Sequence, residues 1–190
     1  MSGAAQPPEK FRSFPPSLAA RLVQLPERHA DLLADEPNSA VLLERLVQHG
    51  LLDAAARLVG YALPEREAVW WACKCVSHTA PAALPPQAEA ALSAAEAWVW
   101  RPNDAARMKA ARAAAEAGYD TAPAWTARAA FASRPAWPLH PRCGRRVERA
   151  IALAAVTGSA ERREPRLQQF IASGREIARG GGGHLPPRAG

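Results

Sequence analysis

Apolar residues recur along most of this chain at three- and four-residue spacing, the period of helices that bury one face. Ser17 offers a cap for a short helix carrying Leu22 and Leu25, which Pro26 ends or restarts. Asn38 and Ser39 offer the next cap. From there Val41, Leu42, Leu46 and Val47 form a stripe, and Gly50 follows His49 as a stop signal. Leu51 to Ala62 continues as a partner helix, with Leu52, Ala55, Ala56 and Val59 on one side. The two segments predict a helical hairpin with a tight turn.

Pro64 then stands at a first-turn position, followed by Glu65 and Glu67, both favourable near a helix N-terminus. The helix they open runs through Val69, Trp70, Trp71, Ala72, Cys73, Cys75 and Val76 and is apolar on nearly every side, the mark of a central, buried helix. Residues 79–86 read as a loop. Glu89 to Trp100 is a helix burying Leu92, Ala95, Trp98 and Val99, broken by Arg101 and Pro102. Asn103 caps a helix to Ala117, before Gly118. Thr121 and Pro123 start another that carries Trp125, Ala129 and Phe131. Residues 133–142 hold three prolines and form the long irregular connection. Two further helices are predicted over roughly residues 144–157 and 164–179.

The expected fold is therefore all-α, an irregular bundle of about eight or nine short helices. A stack of helical hairpins is the alternative, although no fixed-period repeat supports it. The expected organisation is a Pro-rich flexible arm over 1–16, one helical domain over 17–179, and a flexible Gly/Pro tail over 180–190. Alanine dominates the 48% of hydrophobic residues and strand-type runs are missing, which agrees with helix throughout.

Charge changes the picture little. The formal net charge is +6, but 24 basic and 18 acidic residues are interleaved. The densest basic stretch, Arg142, Arg145, Arg146 and Arg149 followed by Arg162, Arg163 and Arg166, is interrupted by Glu148, Glu161 and Glu164. It reads mainly as a solvated helix face. Nucleic acid is a third-ranked partner rather than the expected one. Three cysteines do not make a disulfide framework. Residues 1–14 lack the basic and apolar regions of a secretory signal, and no apolar run is long enough to span a bilayer. The expected setting is the reducing cytoplasm.

Candidate chemistry is sparse. Cys73 and Cys75 lie about 200° apart around a helix and cannot share a metal ion while it is intact. Cys75 with His78, and His140 with Cys143, each have two intervening residues, which offers a Cys2His2 zinc set as an alternative. Cys143, beside Arg142, Arg145 and Arg146 and near His140, has no third group to orient a base. There is no Gly-x-Ser-x-Gly elbow. The pairs Glu65/Glu67 and Glu161/Glu164 read as first-turn charges. Gly180 to Gly183 lacks the Lys-Ser/Thr of a phosphate loop. No cofactor and no enzymatic activity are expected.

The string Leu63-Pro64-Glu65-Arg66-Glu67-Ala68-Val69-Trp70-Trp71-Ala72-Cys73 resembles the signature of a proteobacterial domain family of unknown function. Ala94 to Val99 followed by Pro102, Ala113 to Gly118 leading to Pro123-Ala124-Trp125, and the ending Phe170, Gly174, Ile177 to Gly181 fit it too. The resemblance covers roughly residues 40–182. It implies a small helical bacterial protein with no assigned catalytic residue, and a link to contact-dependent secretion loci such as type VI systems. Residues 132–137 read Ala-Ser-Arg-Pro-Ala-Trp where the pattern has Trp-Ser-Gly-Gly-Ser, so a surface shaped by that stretch is altered here. The leading expectation is a non-enzymatic protein-interaction or adaptor domain. Its interface is sought near Trp70, Trp71, Trp98 and Trp125, or at the Trp137 connector, with another protein as partner.

Overall fold

A computed structural model describes residues 10–35, 37–133 and 141–187. Among them the chain forms nine α-helices and no strand: α1 (Pro16–Val23), α2 (Ser39–Gln48), α3 (Leu52–Ala62), α4 (Glu65–Thr79), α5 (Pro86–Trp100), α6 (Asp104–Glu116), α7 (Ala122–Ala132), α8 (Pro141–Val156) and α9 (Arg163–Ala178). Two 3-10 helices, Glu27–Leu33 and Ala160–Arg162, take the helix count slightly above the expected eight or nine. The all-α bundle is as the pattern predicts.

Side-chain caps set three of the helix starts. Asn38 Oδ1 accepts from the Val41 amide at 2.9 Å, and Asn103 Oδ1 from the Ala106 amide at 2.8 Å, each satisfying an orphan donor of a first turn. Thr121 Oγ1 accepts from Ala124 at 3.3 Å. Gly50 adopts φ +68° just after α2, a left-handed conformation that a side chain would disfavour. Three starts differ from expectation, and proline is the reason at each. Pro16, not a Ser17 cap, opens α1; Pro86 opens α5 three residues before Glu89; Pro141 opens α8 three residues earlier than the spacing suggests. Proline's fixed φ suits the first helical position, where its missing N–H is no loss.

The centre of the bundle is α4, whose Ala68, Val69, Trp71, Ala72, Cys73, Cys75 and Val76 are buried. It packs against α3, α5, α7, α8 and α9. In turn α8 crosses α3, α4, α7 and α9, burying Cys143, Val147, Ala150, Ile151 and Ala154 along one face. Elements in a solenoid touch only their neighbours. Contact between α8 and α3, far apart in sequence, makes this a closed bundle rather than a stack.

Glycine permits a close crossing at the centre. A Cβ on Gly174 of α9 would lie 2.5 Å from Val59 Cγ1 and 3.2 Å from Trp71 Nε1. That approach lets the indole N–H of Trp71 donate to the Phe170 carbonyl at 2.8 Å, satisfying its polar atom inside the core.

The segments flanking the helices are laid onto the bundle. The Lys10 amide donates to the Ala178 carbonyl and the Arg12 amide to the Ala62 carbonyl, both at 2.8 Å, while Phe11 and Phe14 pack on the core. At the other end Ser173 Oγ donates to the Gly183 carbonyl at 3.0 Å, and Leu185 meets the core. Composition marks residues 1–16 and 180–190 as flexible. Within their described parts, apolar residues among the prolines and glycines find buried surface instead. Among the described residues no helix is long and apolar enough to cross a membrane.

Candidate functional site

Adjacent residues on a helix point about 100° apart, so Trp70 and Trp71 cannot share an environment. Trp71 is fully buried, and Trp98, 3% exposed, lies in the same core. Both were candidates for an interface; the structure places them in the interior, where apolar area and the Trp71 hydrogen bond hold α4 to its neighbours. Trp70 and Trp125 are half-buried. Trp137 lies outside the described residues.

The residue that type-based reasoning missed is Trp100, 70% exposed at the last position of α5. It stands two positions on from Trp98, about 200° around the helix axis, so one ring faces in and the other out. The Trp100 ring stands edge-on to Trp70 at 6.0 Å and 66°, a favoured aromatic geometry. Arg66 on α4 donates from Nε to the Val99 carbonyl at 2.7 Å, pinning the end of α5 beside the start of α4. Lys74 Nζ sits 5.6 Å over the Trp70 ring. With Arg66, Glu67 and Val99, the two indoles line a shallow groove of about 260 Å³.

The cysteines are interior groups. Burial pushes the thiols of Cys73 and Cys75 well up, with Glu96 raising Cys73 further, and brings Cys143 up to about 12 despite a hydrogen bond with Ser133 Oγ at 3.2 Å. A nucleophile or metal ligand needs the thiolate, so these environments oppose both roles. Of the alternative zinc set, Cys143 lines an apolar cavity of about 210 Å³ with Phe14, Leu18, Tyr61 and Leu63. His78 instead lines a groove with Arg162, Arg166 and Gln169. His140 lies outside the described residues. Among those described, no three His, Cys, Asp or Glu side chains are placed to hold a metal ion.

The arginines do converge. Arg142, Arg145, Arg146 and Arg149 share one face of α8 and meet Arg128 and Trp125 of α7 around a groove of about 560 Å³. Among the described residues Glu148 is its one acidic lining residue, and Glu148 Oε1 accepts from Arg57 Nε at 2.9 Å. Arg128 lies over both Tyr119 and Trp125, at 4.4 and 4.6 Å from the ring centres. Its partnership with α8 joins residues far apart in sequence, which no local pattern could reveal.

An all-α bundle with a buried tryptophan-bearing central helix, an exposed indole pair and an arginine groove is what these features define. The chain belongs to a family of unknown function (DUF6931), matched over residues 42–178, from α2 to the last residue of α9. No curated protein and no solved structure matches it.

Proposed function

We propose that this chain is a non-enzymatic helical domain that docks another protein through the Trp70–Trp100 patch. The observation that carries the reading is Trp100: a large apolar ring left mostly in water, beside a second indole, on a groove formed by two anchored helix ends. Indoles at such positions dominate binding energy where a partner covers them. The burial that keeps all three thiols protonated supports a non-enzymatic reading, since it removes the chain's strongest nucleophile class at neutral pH. The proposal takes its setting from the family resemblance, an accessory role to a bacterial secretion assembly of the type VI kind.

A photo-crosslinking residue placed at exposed Arg101, beside Trp100, in the native host tests it. The expected result is a defined adduct with one protein, competed away by excess unlabelled chain and lost when Trp100 is also replaced by alanine. Labelling at position 101 that is no greater than at exposed Glu116, or that survives W100A, would refute it.

A further inference from the structure

We propose that the groove between α7 and α8, lined by Arg128, Arg142, Arg145, Arg146 and Arg149, binds a small anion carrying two or more phosphate groups. The sequence separations explain the convergence on α8. Positions 142, 145, 146 and 149 follow the three- and four-residue steps that share a helix face, beside the face that buries Cys143, Val147 and Ala150. The placement is costly for the unliganded chain. The first turn of α8 contains no acidic residue and does contain Arg142, although the positive end of a helix disfavours cations. Arg146 is half-buried, and burial together with Arg128, Arg142 and Arg145 lowers its proton affinity.

Glu148, the one acid among the described residues of the groove, is already shared with Arg57. Arg146 donates to the Arg142 carbonyl at 2.8 Å and Arg145 to the Tyr61 hydroxyl, but these neutral acceptors leave the positive charge of the five guanidinium groups unbalanced. A phosphate is the natural complement, because guanidinium donors form a planar fork that meets two phosphate oxygens at once. The arginines are spread along about 10 Å of α8, so a ligand with two or more phosphates meets more of them than a single phosphate can. Arg128 is organised in advance: its guanidinium lies over Tyr119 and Trp125, and the Trp125 indole N–H donates to the Tyr119 carbonyl at 2.6 Å, which fixes that platform.

The shape favours a small ligand over nucleic acid. The volume, about 560 Å³, falls within the ~300–1,000 Å³ of small-molecule sites. The arginine face of α8 spans only about 10 Å from position 142 to 149, seven residues of helix rise, a short track for a polynucleotide backbone. The site is separate from the Trp70–Trp100 patch, and neither proposal depends on the other.

Isothermal titration of the full chain with inorganic tripolyphosphate at low salt tests the inference. Orthophosphate and a short single-stranded oligonucleotide serve as parallel arms. Saturable binding at one site is expected, weaker for orthophosphate, and weakened at least roughly tenfold in R142A/R149A. Both residues are exposed, and circular dichroism of the variant confirms its fold. Arg21→Ala, which removes one positive charge from an exposed position on α1, is expected to leave binding within about twofold. Three results would overturn the proposal. They are no binding of tripolyphosphate at millimolar concentration, an equal loss in R21A and R142A/R149A, or oligonucleotide binding roughly tenfold tighter than tripolyphosphate, which would mark a nucleic-acid surface.

Discussion

Replacing Gly174 by alanine sets two opposing effects against each other, and the crossing of α9 over α3 and α4 decides the sign. Alanine in a helix interior is favoured over glycine by about 1 kcal/mol. The new Cβ would, however, lie 2.5 Å from Val59 Cγ1, whereas carbon atoms rest about 3.5–4.0 Å apart. Val59 is fully buried, so any retreat must displace packed core neighbours. The Trp71 ring, 3.2 Å away at Nε1, cannot withdraw without stretching its bond to the Phe170 carbonyl, worth about 1 kcal/mol. Overpacking of this kind costs about 1–3 kcal/mol. Adding the threatened hydrogen bond and subtracting the helix gain leaves a net loss of about 2 kcal/mol. At ~2–4 °C per kcal/mol for a chain of this size, that lowers Tm by roughly 4–8 °C. Urea unfolding followed by tryptophan fluorescence gives the free energy, and the same substitution in a V59A background should cost at least about 1 kcal/mol less. An unchanged or raised Tm, or additive effects of the two substitutions, would show that the helices do not cross this closely.

Truncating the tryptophans separates core from surface. W71A should lose about 3–5 kcal/mol in chemical denaturation, and W100A, at an exposed position, less than about 1; similar losses would contradict the assigned orientations. The thiols give a pH dependence with a defined sign. Burial raises all three, so the unfolded chain ionises near 9 while the folded chain holds its protons up to about 12 at Cys143, and stability falls as pH rises above about 9. Between pH 9 and 10 the loss is on the order of 1 kcal/mol per thiol. Tm measured from pH 8 to 10 should fall more steeply in the native chain than in a variant with all three cysteines replaced by alanine, and parallel curves would exclude these environments. In R142A/R149A the removal of like-charge neighbours at three- and four-residue spacing should raise stability by about 0.5–1 kcal/mol in low salt, with the gain shrinking as salt is added. A destabilised variant would mean that these arginines hold the fold together rather than await an anion.

What the sequence made legible is what neighbouring residues decide. Asn38, Asn103 and Thr121 cap helices in the structure because a cap requires only a side-chain oxygen and an amide three residues on. The all-round apolar character of α4 likewise forecast its central place. Starts at Pro16, Pro86 and Pro141 were missed because proline marks both a break and a first turn, and spacing alone does not choose between them. The tryptophans show a different limit. Residue type suggested Trp71 and Trp98 for an interface, but angle around the helix decides exposure, and the alternation of Trp98 with Trp100 was readable once Trp98 was set inside. The Arg128 contribution to the α8 groove was beyond reach, since it depends on how α7 and α8 pack.

Helix α8 separates fold from binding more cleanly than any other element here. Its buried face ties α3, α4, α7 and α9 together, so substitutions at Val147 or Ile151 disturb folding and binding at once. The arginine face can be altered with little structural consequence, because Arg142, Arg145 and Arg149 are exposed and the helix is held from the other side. Arg145 is the exception to avoid, since it hydrogen-bonds the Tyr61 hydroxyl across the α3 crossing. At the other surface Trp70 shares its turn with buried Trp71 and Val69, and replacing it risks the centre of the bundle. Trp100 ends its helix and contacts Trp70 only by its edge. Loss of partner binding in W100A with stability retained, and loss of anion binding in R142A/R149A with stability gained, are therefore outcomes that a general weakening of the fold could not imitate.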